Sequence, residues 1–225
     1  VTISPELLVC KYVQRLIEYP GAMQVLDFAQ GRVQMVAVRT VEGGVLVGKQ
    51  IAQLHEQLPT GMDVRVAAIF RAGRSIMPEP WTEIEVEDEV FFLVQQHDIQ
   101  AVMDALRPRN KPVRRIVIAG GDNIGLSLAK ALEERFSVKL LERSKKRTRA
   151  IAEILQNTIV LVGDCTDEDL LREENIDQTD IYCALTNDDE VNIMSSMLAK
   201  RMGAKKVLTL INNAAYVDLV QGGEI

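Results

Sequence analysis

Apolar residues first recur at helical spacing. Leu8, Tyr12, Leu16 and Tyr19 form one stripe, with Val9, Val13 and Ile17 beside it, which predicts a helix over residues 5–18. Ser4 suits its N-cap, Pro5 its first turn, and Pro20-Gly21 ends it. From Met23 to about Leu106 the pattern shortens to strands. Residues 34–41 alternate, 64–70 form a run of Val, Ala and Ile expected to be a buried strand, and 90–94 follow an acidic turn. Residues 84–86 read as a further short strand and 76–80 as a proline-broken loop. Two helices, one ending near Leu58 and one over 98–106, complete a small α+β unit.

Residues 107–115 hold Arg107, Arg109, Lys111, Arg114 and Arg115, with Pro108 and Pro112 among them. Prolines and solvated charge mark a linker; a phosphate-binding patch is the second reading. Beyond it, apolar strands over 116–119, 138–141, 158–162, 181–185 and 206–211 alternate with helices over 123–136, up to 155, 167–174, 190–202 and 214–220. That alternation predicts a parallel sheet with right-handed crossovers. The fold class expected is α/β: a Rossmann-like parallel-sheet domain over 116–225 and an α+β domain over 23–106, joined by the linker.

Composition narrows the function. With 47% apolar and 26% charged residues, the 225-residue chain has the balance of a globular protein. No stretch approaches the roughly 20 apolar residues that cross a bilayer, and no basic-then-apolar opening marks a signal peptide. The chain opens on Val1 without Met, which leads to the expectation of a piece cut from something longer. A net charge of −6 gives no global attraction to nucleic acid. Cys10, Cys165 and Cys183 form no C-x-x-C pair and His55 and His97 are isolated, so neither a disulfide framework nor a metal site is expected and the cytoplasm is the default.

The chemistry is concentrated after strand 116–119. Gly120-Gly121-Asp122-Asn123-Ile124-Gly125 nearly matches the dinucleotide fingerprint G-x-G-x-x-G in the required strand–turn–helix setting. Gly120 would make the tight turn, Gly125 would let the helix pack closely, and the helix N-terminus would face a pyrophosphate. Glu142 stands 22 residues after Gly120, at a strand end where a carboxylate accepts from ribose hydroxyls. Asp122 replaces the second glycine of the pattern. Aspartate tolerates a left-handed backbone, but its charge would repel a phosphate about 4 Å away by up to ~4 kcal/mol at an effective dielectric near 20, and would compete for the same amides.

Further along, Asp164 could accept from an adenine amino group or cap the next helix, and Cys165 reads as a packing residue. Thr186 lies at the same ligand edge, while capping accounts for Asn187 and Asp188. Within the basic run 143–149, a solvated face, Arg143 alone is singled out because it follows Glu142. No Tyr-x-x-x-Lys pair and no histidine base accompany the motif, so no catalytic residue is expected and a nucleotide sensor fits better than a hydride-transfer enzyme.

Residues 116–125, Glu142-Arg143, the Gly-Asp-x-Thr at 163–166 and the run 187–192 resemble the nucleotide-binding domain of the RCK (KTN) family. Residues 36–106, with Leu46-Val47-Gly48-Lys49, Val66-Ala67-Ala68-Ile69 and Asp88-Glu89-Val90-Phe91-Phe92, resemble the companion RCK C-terminal domain. The order of pieces and residues 16–22 are similar to tandem-RCK regulatory subunits of bacterial potassium uptake. The resemblance implies that 1–22 are the last strand and crossover helix of a preceding nucleotide domain. It implies NAD or NADH as ligand, often ADP or ATP, with contacts at Gly120, Asn123, Ile124, Glu142, Arg143, Asp164 and Cys165. It also implies a dimer or ring on the inner face of the membrane that gates a potassium transporter. Two alternatives stay open: a fragment of an NAD-dependent oxidoreductase, and an assembly module whose nucleotide site is dead.

Overall fold

A computed structural model describes residues 5–28, 31–106 and 112–216. The strand expected before the first helix, most of the basic linker, and the end of the helix expected over 214–220 lie outside them. The chain divides into two compact units, residues 18–112 and residues 1–17 with 113–225.

The first unit is built on an antiparallel sheet. Strands β1 (Ala22–Phe28), β2 (Val33–Arg39), β3 (Arg65–Arg71), β4 (Arg74–Ile76) and β5 (Glu89–Gln95) lie in the order β1-β2-β5-β3-β4. Helix α3 (Ile99–Leu106) buries Ile99, Val102, Met103 and Leu106 against Val36, Val38, Ile69, Val90 and Phe92 of the sheet. The short α2 (Leu54–Gln57) adds Leu54 to the same core. The 64–70 run is not a buried strand. Only Ile69 of β3 is fully buried, because the sheet is covered on one face and the other meets water. Phe70 and Phe91 instead pack edge to face at 5.5 Å, both half-buried. No strand forms over 84–86; a single bridge joins Gln50 to Glu83, and buried Asp88 organises the turn. Its carboxylate accepts from Arg71 Nε (2.8 Å) and from the Glu85 amide (2.8 Å).

The second unit is the parallel sheet. Strands β6 (Arg115–Ala119), β7 (Ser137–Glu142), β8 (Ile159–Val162), β9 (Ile181–Ala184) and β10 (Lys206–Thr209) take the order β10-β9-β6-β7-β8, all pairs parallel. Ile116, Val117, Ile118 and Ala119 are all buried, as expected of a strand covered on both faces. Helices α4 (Asn123–Leu132), α5 (Lys145–Ile154), α6 (Glu168–Glu173) and α7 (Asp189–Arg201) make the crossovers. Helix α1 (Pro5–Glu18) sets Cys10, Val13 and Ile17 into the core that holds Ile116, Ile118, Leu128 and Cys183. Helix α7 buries Asn192, Ser195, Ser196 and Ala199, a small and polar face at helical spacing that lets it approach the sheet closely. At the opposite end, Asp180 accepts from the Arg114 and Arg115 amides and starts β6 in register.

Candidate functional site

The strand order reverses between β6 and β9, with β7 and β8 on one side of β6 and β9 and β10 on the other. At such a switch point the loops leaving the carboxyl ends diverge and open a crevice. Here it is a cleft of about 380 Å³. The turn after β6 contributes Gly120 and Asp122, β7 and its loop Leu141 to Ser144, and α5 Arg147. Gly163 to Cys165 follow β8, and Thr186 to Asp188 follow β9.

Two glycines explain the turn. Gly120 has φ of +104°, and a Cβ there would stand 2.8 Å from the Leu185 carbonyl and the Thr186 amide. Gly125, in the first turn of α4, would bring a Cβ to 1.9 Å from the Gly120 carbonyl. The helix can therefore start directly under the strand end only with glycine at both positions. Asp122 does not use the left-handed backbone anticipated for it: its φ is −71° and ψ −175°, an extended N-cap conformation open to any residue. Nor does its carboxylate compete for the α4 amides, since it makes no capping hydrogen bond. One oxygen meets Arg147 Nη2 at 3.0 Å and the other accepts from Asn187 Nδ2 at 2.5 Å.

Glu142 is held at its strand end by backbone. Oε2 accepts from the Gly121 amide (3.1 Å) and Oε1 from the Ser144 amide (2.8 Å), so the carboxylate is aimed before any ligand arrives. Each oxygen keeps a second acceptor site for a hydroxyl. Arg143 lines the cleft and its charge faces Asp164. Arg147, expected on a solvated face, reaches in instead and donates from Nε to the Gly121 carbonyl at 2.9 Å. Ser144 caps α5 and so places Arg147 in the first turn, pointing back at the glycine loop.

Asp164 does not cap α6. That role belongs to Asp167, which accepts from the Asp169 and Leu170 amides. Asp164 accepts from the Thr166 hydroxyl (2.7 Å) and amide (2.9 Å), which hold its carboxyl below the ordinary range against the opposing effect of burial; Arg143 adds in the same direction. Cys165 is buried and lines the cleft, and burial pushes its thiol up, as for a packing residue. Thr186 donates its hydroxyl to Asn192 Oδ1 at 2.7 Å. Asp188 caps α7, whereas Asn187 is spent on Asp122 and not on capping.

Of the anticipated site residues, Gly120, Asp122, Glu142, Arg143, Asp164, Cys165 and Thr186 line one cleft. Gly121, Asn123, Ile124 and Gly125 do not line it. The Ile124 side chain packs on the core and Asn123 is exposed. Arg147 and Asn192 were missed. Asn192 is fully buried; its side chain accepts the Thr186 amide (2.9 Å) and donates to the carbonyls of Thr186 (2.9 Å) and Leu210 (3.0 Å). Its signal in the sequence was an amide on the inward stripe 192, 195, 196, 199.

The TrkA-N domain family matches residues 116–225 and the TrkA-C domain family residues 35–107. The chain is similar to the Trk system potassium uptake protein TrkA of Vibrio alginolyticus, 57% identical over 99% of this chain and 48% of the relative. Against that of Halomonas elongata it is 58% identical over 100% of this chain and 49% of the relative. The chain thus spans about half the length of the curated relatives it matches. Among solved structures, the crystal structure of the GsuK RCK domain superposes with a TM-score of 0.55 at 17% identity, covering 92% of this chain and 49% of that one. The GsuK channel bound to NAD gives 0.55 at 17% identity over 98% of this chain and 42% of that one, a likeness of fold.

Proposed function

The chain belongs to the TrkA family, and we propose that it is part of a non-enzymatic regulatory subunit that binds a nucleotide and thereby controls potassium movement through a separate membrane protein. The observation that carries the reading is the pairing of the Gly120–Gly125 turn with Glu142 at the switch point of a parallel sheet. The relatives are named for potassium uptake, and one structural neighbour is a channel bound to NAD, which supports NAD or NADH as the ligand. ADP and ATP share the adenosine and phosphate groups and fit the same chemistry. The contacts proposed are the amides of Asn123, Ile124 and Gly125 for phosphate, Glu142 and Arg143 for ribose, and Asp164, Cys165 and Thr186 along the cleft wall; the Gly121 amide is held by Glu142. The working form is a homo-oligomer, dimer or ring, on the cytoplasmic face of the membrane. No helix among the described residues is long and apolar enough to cross a membrane.

Regulation by a ligand requires that it bind one conformation of the assembly better than another. Among the described residues, no histidine, tyrosine or lysine lines the cleft, which favours a nucleotide sensor over hydride transfer.

Isothermal titration of the full chain with NADH, NAD, ADP and ATP tests the proposal. One saturable site per chain, shared by competing nucleotides, is expected. The absence of binding for all four would favour an assembly module with a dead site. NADH oxidation with a small oxo acid would favour an oxidoreductase.

A further inference from the structure

Three side chains from three segments meet at the mouth of the cleft. Asp122 leaves the turn after β6, Arg147 rises from α5 and Asn187 hangs from the loop after β9. The Asp122 carboxylate is shared between the Arg147 guanidinium (3.0 Å) and the Asn187 amide (2.5 Å). The same guanidinium donates to the Gly121 carbonyl at 2.9 Å, so it is fixed on the glycine loop whether or not it pairs with Asp122. The Asp122 side chain does not cap α4, and the first helical backbone bond to Asp122 comes from the Leu126 amide. The loop thus presents a cation and uncapped amides together, and an acid of this chain holds the cation.

We propose that Asp122 is a built-in competitor for the phosphate of the ligand. In the free protein the Asp122–Arg147–Asn187 clasp closes the diphosphate subsite, and a nucleotide opens it by taking the guanidinium from Asp122. Arg147 is then the residue that reads the phosphates, as a planar guanidinium does by paired hydrogen bonds. The Asp122 and Arg147 side chains are 34% and 41% exposed, so their pair is weak and exchangeable. The clasp also ties the loop after β9 to the glycine loop, so opening it would release Asn187 and report ligand binding to the start of α7. This inference rests on the nucleotide-binding reading above and deepens it: the selected group is the diphosphate, and the specificity-determining residues are Asp122 and Arg147.

Competition predicts a difference that a structural role does not. Asp122→Asn keeps the shape of the turn and removes the charge, so ADP and NADH should bind at least tenfold more tightly. Adenosine, which has no phosphate, should bind that variant and the unaltered chain alike. Arg147→Gln should weaken ADP at least tenfold and leave adenosine within twofold. In the Arg147→Gln background, the gain from Asp122→Asn should shrink below threefold, because the cation contested is gone. Titration calorimetry on the full chain reads all of these, with thermal melting to establish that each variant folds. Equal ADP affinity with Asp or Asn at 122 overturns the clasp and leaves nucleotide binding intact. Parallel shifts for adenosine and ADP assign Asp122 to shaping the loop and also overturn it. If neither ligand binds any folded form, the nucleotide-binding reading fails and the clasp fails with it.

Discussion

The Glu142 carboxylate accepts the Gly121 amide at 3.1 Å, so the acid at the end of β7 holds the glycine loop at the end of β6. The second oxygen takes the Ser144 amide at 2.8 Å, which fixes the entry to α5. A residue read from the sequence as a ribose acceptor is therefore also the brace of the site. Replacing Glu142 with Ala removes both functions. Nucleotide affinity should fall by about 1–3 kcal/mol, together with a lower melting temperature. Unchanged NAD and ATP titrations in that variant would place the ligand elsewhere.

Gly125→Ala tests the close approach of α4 to β6. The added carbon would stand 1.9 Å from the Gly120 carbonyl, a backbone atom that cannot rotate aside. Helix and strand must separate, at a cost on the order of 3 kcal/mol. Urea unfolding should show the lower midpoint, and a variant as stable as the parent would refute the packing argument.

Asn192→Ala leaves the half-buried Thr186 amide and the Thr186 and Leu210 carbonyls without the side chain that pairs them. Unsatisfied buried polar groups destabilise by about 1–3 kcal/mol each, with partial relief from relaxation. The expected net loss is about 2–3 kcal/mol, read as a shift in the denaturation midpoint. Hydrogen exchange at the Thr186 amide should quicken with it.

Glu133 gives the pH dependence. Its carboxylate, at the end of α4, accepts from the Gln156, Asn157 and Thr158 amides and from the Thr158 hydroxyl. Burial pushes its pKa up, but the Asn157 amide, the Thr158 hydroxyl and the other two amides outweigh that, so it lies below the ordinary 4.5. A carboxyl with a depressed folded pKa contributes stability above the unfolded value and loses it as pH falls through the folded one. Glu133→Gln should therefore be less stable than the parent at pH 7. The difference should narrow as pH drops below about 4.5, followed by thermal melting. A gap that stays constant from pH 7 to pH 3 would contradict this.

The sequence by itself determined the alternation of strands and helices beyond residue 115, a small α+β unit of short strands before it, and the glycine turn with its strand-end acid. Those features are legible because each is local. A strand covered on both faces reads as a continuous apolar run, as in 116–119, and a crossover helix reads by its period. The same logic misled at β3, whose run of Val, Ala and Ile is as apolar as β6 but meets water on one face. Burial depends on what other segments cover, which no local pattern records. The β3–β4 hairpin escaped notice because its turn places Ala72 at φ of +49° beside Gly73 at +73°, where Asn-Gly is the usual signal.

In the site, the tertiary structure alone decided which of several cations meets Asp122. Arg143 stands nearest to Glu142 in the chain, but the strand end and the Ser144 cap put Arg147 over the glycine loop. It likewise decided that Asn187 partners Asp122, 65 residues away, instead of capping α7. A residue's type announces what it can donate or accept; its partner is set by which loops the sheet order brings to one edge, and β6 and β9 are neighbours only once the sheet has formed.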